Sequence, residues 1–203
     1  MTEPVRDDEL QPLFAAAELR TRVAELGAAI GETYTEAPDP PVLVGILKGC
    51  AVFLADLARA IPLDIDLDFM AISSYNQDAD SSGVVRIVMD VETDVANRDV
   101  VIVEDIVDTG LTLNFLRQTL LTRRPRTLRV VTLLDKKARR ILPIEVDWSG
   151  FEIGDLYVLG YGIDHQGRYR NLDHLVSVTD LKLLASEEDR YVPALFPVAG
   201  VSR

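Results

Sequence analysis

Two runs in this chain, Val42 to Leu47 and Val100 to Val103, carry no polar side chain at all, and Leu128 to Leu134 comes close. A strand with one wet face alternates apolar and polar residues, so unbroken apolar runs of this length read as strands buried on both faces, the habit of parallel sheets covered by helices. The intervening segments supply the helices. Leu19, Val23, Leu26 and Ile30 recur at spacings of four, three and four within Ala17 to Tyr34, and Ala51 to Ile61 and Thr112 to Thr122 read likewise. Leu156 to Leu159 is a further short apolar strand. The alternation predicts an α/β fold with a mainly parallel, twisted sheet flanked by helices.

One segment differs. From Ile65 to Ile72 apolar residues alternate with acids, which predicts a half-exposed strand with Ile65, Leu67, Phe69 and Ala71 on one face and Asp64, Asp66 and Asp68 on the other. It enters the polar stretch Ser73 to Gly83 before Val84 to Met89 resumes a strand pattern, giving a hairpin with a mobile tip. With 203 residues, the expectation is one domain over residues 1–180 followed by an extension, 181–203, packed on the surface or partly disordered.

Composition excludes several function classes. No apolar run approaches the roughly 18 residues of a membrane helix, and the acidic N-terminus lacks the pattern of a secretory signal, so a soluble, cytoplasmic protein is expected. The single cysteine, Cys50, and two histidines, His165 and His174, make neither a disulfide nor a structural zinc site, and Cys50 reads as core filler. A net charge of −12 argues against nonspecific nucleic-acid binding, although Arg123, Arg124, Arg126 and Arg129 could form a local basic patch. An anionic ligand must therefore be met by local positive groups or a metal ion.

The chemistry concentrates where strands end: Lys48-Gly49, Glu104-Asp105 and Lys136. In open α/β sheets ligands bind beyond the carboxyl ends of the strands. The richest segment is Val100 to Thr112, VVIVEDIVDTGLT. Ionised Glu104 and Asp105 accept hydrogen bonds only, and suit sugar hydroxyls or a hydrated divalent cation. The backbone N–H groups from Asp108 to Thr112, with the Thr109 and Thr112 hydroxyls, lie at a helix N-terminus and can cradle a phosphate. Taken singly these features are commonplace: adjacent acids after a strand usually mark a solvated turn, and Thr-Gly before a helix usually marks a cap. Other phosphate motifs fail, since Gly160-Tyr161-Gly162 meets His165 where a dinucleotide fingerprint needs its third glycine, and no Walker loop occurs.

As a unit, VVIVEDIVDTGLT resembles the phosphoribosyl pyrophosphate signature of type I phosphoribosyltransferases, and the residues from the first helix to about Val178 resemble the hypoxanthine-guanine branch. The resemblance implies that family's fold, with a small hood and a flexible hairpin loop, and a magnesium-dependent transfer of 5-phosphoribosyl to hypoxanthine or guanine. It implies that Glu104, Asp105, Ile106, Val107, Asp108, Thr109, Gly110, Leu111 and Thr112 hold the sugar phosphate, and that Leu47, Lys48 and Gly49 bind pyrophosphate through a non-proline cis peptide. Ser74 and Tyr75 would ride on the closing loop. Lys136 would donate to the purine 6-oxygen, Asp108 would take the N7 proton, Tyr157 would stack on the base and the Val158 backbone would read its edge. Glu104, Asp105 and Asp164 would bind magnesium, and Arg170 would contact pyrophosphate. Substrates are then phosphoribosyl pyrophosphate and a 6-oxopurine, without nucleic acid or membrane, in a homodimer or homotetramer.

Leu111, Leu156 and His165-Gln166-Gly167 depart from the usual family pattern and bear on base preference. A phosphoribosyltransferase for xanthine or another base needs the same sugar loop, and a non-catalytic regulator that senses phosphoribosyl pyrophosphate is the rival from another class. The presence of both Asp108 and Lys136 and the acidic charge favour catalysis.

Overall fold

A computed structural model of the chain describes residues 5–6, 9–74, 85–187 and 189–196. The chain divides into two compact units, one continuous over residues 20–155 and one assembled from residues 1–19 and 156–203. Helix α1 (Ala16–Tyr34) begins in the second and continues in the first.

The larger unit contains β2 (Val42–Leu47), α2 (Ala51–Ala60), β3 (Asp66–Ser74), β4 (Val85–Met89), β5 (Asp99–Val107), α3 (Leu111–Leu121), β6 (Thr127–Asp135) and β7 (Trp148–Glu152), with a short 3-10 turn at Lys137–Arg139. Its six strands lie in the order β4-β3-β2-β5-β6-β7. All neighbours run parallel except β3 and β4, an antiparallel hairpin whose stem pairs Ser74 with Val85. The hairpin tip, including Tyr75, lies outside the described residues. The apolar runs behave as expected: Leu43, Val44, Val101, Ile102, Val130 and Val131 are fully buried, so both faces of the sheet are covered. Leu113, Leu116 and Leu120 of α3 join Val42, Val44, Val100, Ile102 and Val130 in one core cluster, and α2 packs on β2.

The alternation in β3 is inverted relative to the sequence expectation. Leu67, assigned to the buried face, is 48% exposed, whereas Met70 is fully buried and Asp68 only 9% exposed. The reason is that Asp68 has found backbone donors. Its carboxylate accepts from the N–H groups of Phe69 at 2.7 Å, Glu92 at 3.0 Å and Thr93 at 2.7 Å. Burial works to raise its pKa, but those hydrogen bonds, led by Thr93, leave it below the usual carboxylate value.

The smaller unit is a three-stranded antiparallel sheet in the order β1-β9-β8, with β1 (Leu10–Phe14), β8 (Tyr157–Leu159) and β9 (Leu175–Val178), followed by α4 (Leu181–Ser186) and α5 (Val192–Leu195). The Leu156–Leu159 run is thus not part of the parallel series; at three residues it pairs locally with β9. The segment after residue 180 is likewise more than a surface extension. Leu184, Tyr191 and Leu195 are buried in the core of this unit, and Arg190 donates to Glu9 through Nε at 3.1 Å and Nη2 at 3.0 Å, both side chains being almost wholly enclosed. Chiefly through the Arg190 hydrogen bond, the Glu9 carboxyl is held below its usual range.

Three of the four arginines of the candidate basic patch have other partners: Arg123 pairs with Asp90, Arg126 with Asp99 and Asp39, and the Arg129 guanidinium lies 5.5 Å from the Trp148 ring and 6.0 Å from that of Tyr34. Among the described residues no helix is long and apolar enough to cross a membrane.

Asp68→Ala would leave the Glu92 and Thr93 amides without an acceptor and is expected to cost about 1–3 kcal/mol in urea denaturation at neutral pH. Because the folded pKa lies below the unfolded value near 3.8, the contribution is complete above that value and is lost as pH falls through the folded one. The gap between wild type and variant should therefore narrow in acid.

Candidate active site

Strand β2 is flanked by β3 on one side and β5 on the other, so the chain winds outward from β2 first one way and then the other. This reversal opens a crevice at the carboxyl ends of the strands. A cavity of about 250 Å³ lies there, lined by Leu47 and Gly49 after β2 and by Glu104, Asp105, Ile106, Val107, Asp108, Thr109, Gly110 and Thr112 along and after β5. Two segments more than fifty residues apart in sequence are thus brought together.

The peptide bond between Leu47 and Lys48 is cis. Lys48 is exposed and Gly49 faces Asp105 so closely that a Cβ there would overlap the Asp105 carboxylate. Glu104 and Asp105 lie within β5 rather than after it, because the strand continues to Val107. Glu104 is 6% exposed, and burial, reinforced by the neighbouring Asp105 charge, pushes its carboxyl well above the usual carboxylate range.

Gly110 caps α3 in the left-handed conformation, φ 83°, and offers no capping side chain. The nearest substitute, Thr109 Oγ1, accepts from Leu111 N at 3.4 Å, a marginal bond. The first-turn N–H groups are therefore left facing the cavity end of the helix, the arrangement that binds phosphate. Leu111 itself is 49% exposed and does not line the cavity.

The Lys136 side chain is buried, with Nζ 3.5 Å from Asp108 Oδ2. Arg139 Nε approaches Asp108 Oδ1 to 2.8 Å, and its Nη1 donates to Asp155 at 2.7 Å. Arg140 donates to the Asp108 carbonyl at 2.9 Å and also pairs with the buried Asp135. Sequence reasoning did not single out Arg139, Arg140 or Asp135; the available signal was the basic run Lys136-Lys137-Ala138-Arg139-Arg140 directly after β6. Cys50 is fully buried, and desolvation above all raises its thiol pKa, so it is an inert core group as expected.

The remaining candidates lie in the smaller unit. β8 is an edge strand whose ladder to β9 engages one side only, so backbone groups of Tyr157–Leu159 on the other side have no strand partner among the described residues. The Tyr157 hydroxyl and His165 Nδ1 are 2.8 Å apart with their rings edge to face, a contact not anticipated from sequence. Asp164 Oδ1 pairs with Arg170 at 2.7 Å, its Oδ2 accepts from Gly167 N at 2.6 Å, and Arg170 Nη1 donates to the Gly162 carbonyl at 2.6 Å.

Among the described residues no three carboxylate, imidazole or thiol groups converge into a preformed metal cage. Glu104 and Asp105 still fit magnesium, which characteristically takes one or two carboxylates and completes its shell with substrate oxygens and water. A buried Glu104 with a raised pKa is the sort of group that a nearby cation would hold in its charged form.

Comparison with known proteins agrees with this geometry. Residues 15–166 match the phosphoribosyl transferase domain family. The hypoxanthine-guanine phosphoribosyltransferase of Mycobacterium avium is 45% identical over 182 residues, covering 85% of this chain and 90% of the relative. The hypoxanthine phosphoribosyltransferase of Escherichia coli strain K12 is 41% identical, covering 83% and 95%. A crystal structure of a hypoxanthine-guanine phosphoribosyltransferase from Bacillus anthracis superposes with a TM-score of 0.77 at 37% identity, over 83% of this chain and 98% of that one. The chain belongs to the phosphoribosyltransferase family and, within it, to the hypoxanthine-guanine group.

Gly49→Ala should force the Asp105 carboxylate aside, with an overpacking cost of about 1–3 kcal/mol and a fall in Tm of roughly 2–12 °C, measurable by scanning calorimetry.

Proposed function

We propose that this protein is a purine-salvage enzyme that transfers 5-phosphoribosyl from phosphoribosyl pyrophosphate to hypoxanthine or guanine, giving IMP or GMP and pyrophosphate. The observation that carries the reading is the composition of one crevice wall: Glu104 and Asp105, the Thr109-Gly110 cradle, and Asp108 with Lys136 3.5 Å from its carboxylate. Those groups suit, in turn, ribose hydroxyls, a 5-phosphate, and the proton and oxygen of a 6-oxopurine.

In the reaction the bond from ribose C1 to the pyrophosphate oxygen breaks, a bond from C1 to a purine nitrogen forms, and the base loses its proton. Asp108 takes that proton from N7. Lys136, beside Asp108, donates to the purine 6-oxygen and stabilises the charge that gathers there. Thr109, Gly110 and Thr112 hold the 5-phosphate, while Leu47-Lys48-Gly49 and Arg170 hold the pyrophosphate. Tyr157 stacks on the base, its hydroxyl fixed by His165, and the unpaired side of β8 at Val158 reads the purine edge. The reading gives Ser74, at the end of β3, and Tyr75, outside the described residues, a role in excluding water. Glu104, Asp105 and Asp164 are the residues that would hold magnesium, which when bound would supply neutralising charge for the leaving pyrophosphate. The setting is the cytoplasm and the assembly a homodimer or homotetramer.

The test is nucleotide synthesis from phosphoribosyl pyrophosphate with hypoxanthine, guanine, xanthine, adenine or uracil, with and without magnesium. IMP or GMP formed only with magnesium is expected. Preference for xanthine would reassign the base, and donor binding without product from any base would mark a ligand-sensing regulator. Asp108→Asn should lower kcat by about a hundredfold or more while leaving donor binding intact; near-normal turnover would remove Asp108 as the base.

A further inference from the structure

A phosphate cradle made of backbone N–H groups works only if the peptide planes are turned correctly. In a trans peptide the C=O and N–H point in opposite directions, so whatever fixes the carbonyl also aims the amide. The carbonyl of Asp108 accepts from Arg140 Nη1 at 2.9 Å, which turns the N–H of Thr109 the other way. The carbonyl of Thr109 accepts from Ile141 N at 2.9 Å and from Leu142 N at 3.4 Å, which turns the N–H of Gly110 the other way. Thr109 and Gly110 both line the cavity.

Arg140 is itself fixed. Its other terminal nitrogen pairs with Asp135, whose side chain is 2% exposed, and the Arg140 side chain is 13% exposed. Its stem lies against Gly110, where a Cβ would come within 3.2 Å of Arg140 Cδ. The planar guanidinium thus joins a buried carboxylate at the end of β6 to the carbonyl of the residue that opens the loop.

We infer that Arg140 is a positioning residue for phosphate recognition: it touches no substrate, and it orients the Asp108–Thr109 peptide so that the Thr109 amide faces the 5-phosphate beside the Gly110 amide, whose own peptide is set by the N–H groups of Ile141 and Leu142. The inference rests on reading this loop as the 5-phosphate site. A lysine at this position has a point charge in place of a fork, and can serve Asp135 or the Asp108 carbonyl but not both in the same geometry.

The experiment compares wild type, Arg140→Gln and Arg140→Lys by calorimetric titration with ribose 5-phosphate and with magnesium pyrophosphate, by steady-state kinetics, and by thermal melting. For Arg140→Gln we expect the ribose 5-phosphate Kd and the KM for phosphoribosyl pyrophosphate to rise about tenfold, with magnesium pyrophosphate affinity and the KM for hypoxanthine changed less than about threefold, and with Arg140→Lys between the two. Unchanged ribose 5-phosphate affinity, or an equal loss for every ligand together with a lowered melting temperature, would overturn the inference. If Arg140→Gln does not fold, the same ligand ratio is read from Arg140→Lys. Wild type that binds ribose 5-phosphate but makes no nucleotide would defeat the proposed function while leaving the Arg140 comparison intact; wild type that does not bind it would defeat both.

Discussion

The pairing of β2 with β5 is the constraint on which the candidate site depends. Val42 to Gly45 lie alongside Val100 to Val103 in parallel register, so the turn after Leu47 and the acids at Glu104-Asp105 emerge at the same edge of the sheet. Each run is apolar for a reason of burial, not chemistry, yet the burial fixes where the chemistry appears. Gly49 lies so close to the Asp105 carboxylate that any side chain at residue 49 would have to displace it.

A chain of net charge −12 that handles polyphosphates faces an electrostatic problem, and the structure meets it locally. Backbone amides at the start of α3 provide positive potential without adding charge. Two cations near the loop are spent on internal order: Arg139 on Asp108 and Asp155, Arg140 on Asp135 and the Asp108 carbonyl. Several acids are held in turn by arginines or amides, so the negative charge around the sheet is largely structured.

The parallel sheet and the loop that opens α3 were legible in sequence because each is specified locally, by an apolar run and by Thr-Gly at a helix start. What escaped was determined across sequence distance. The inward turn of Asp68 depends on amides 24 and 25 residues away, which no strand periodicity encodes. Arg139 and Arg140 looked like ordinary basic residues after a strand, since the carbonyl and carboxylates they meet belong to other elements. The pairing of Tyr157 with His165 was hidden for the same reason: a short strand and a turn contribute one group each. Of the β1-β9-β8 sheet only β8 was expected as a strand, and its pairing was hidden because the strands are three to five residues long and drawn from both ends of the chain.

That last arrangement sets an order of events during biosynthesis. The larger unit is continuous from residue 20 to residue 155 and can close as soon as that stretch has left the ribosome. The smaller unit cannot. Its first strand and Glu9 must wait for β9, Tyr191 and Arg190, separated from them by nearly the whole chain. A nascent polypeptide arrested at residue 155 would hold the strands of the larger sheet and an idle N-terminal strand, and the unit carrying Tyr157 and Arg170 would come into being only after β9, Arg190 and Tyr191 have emerged.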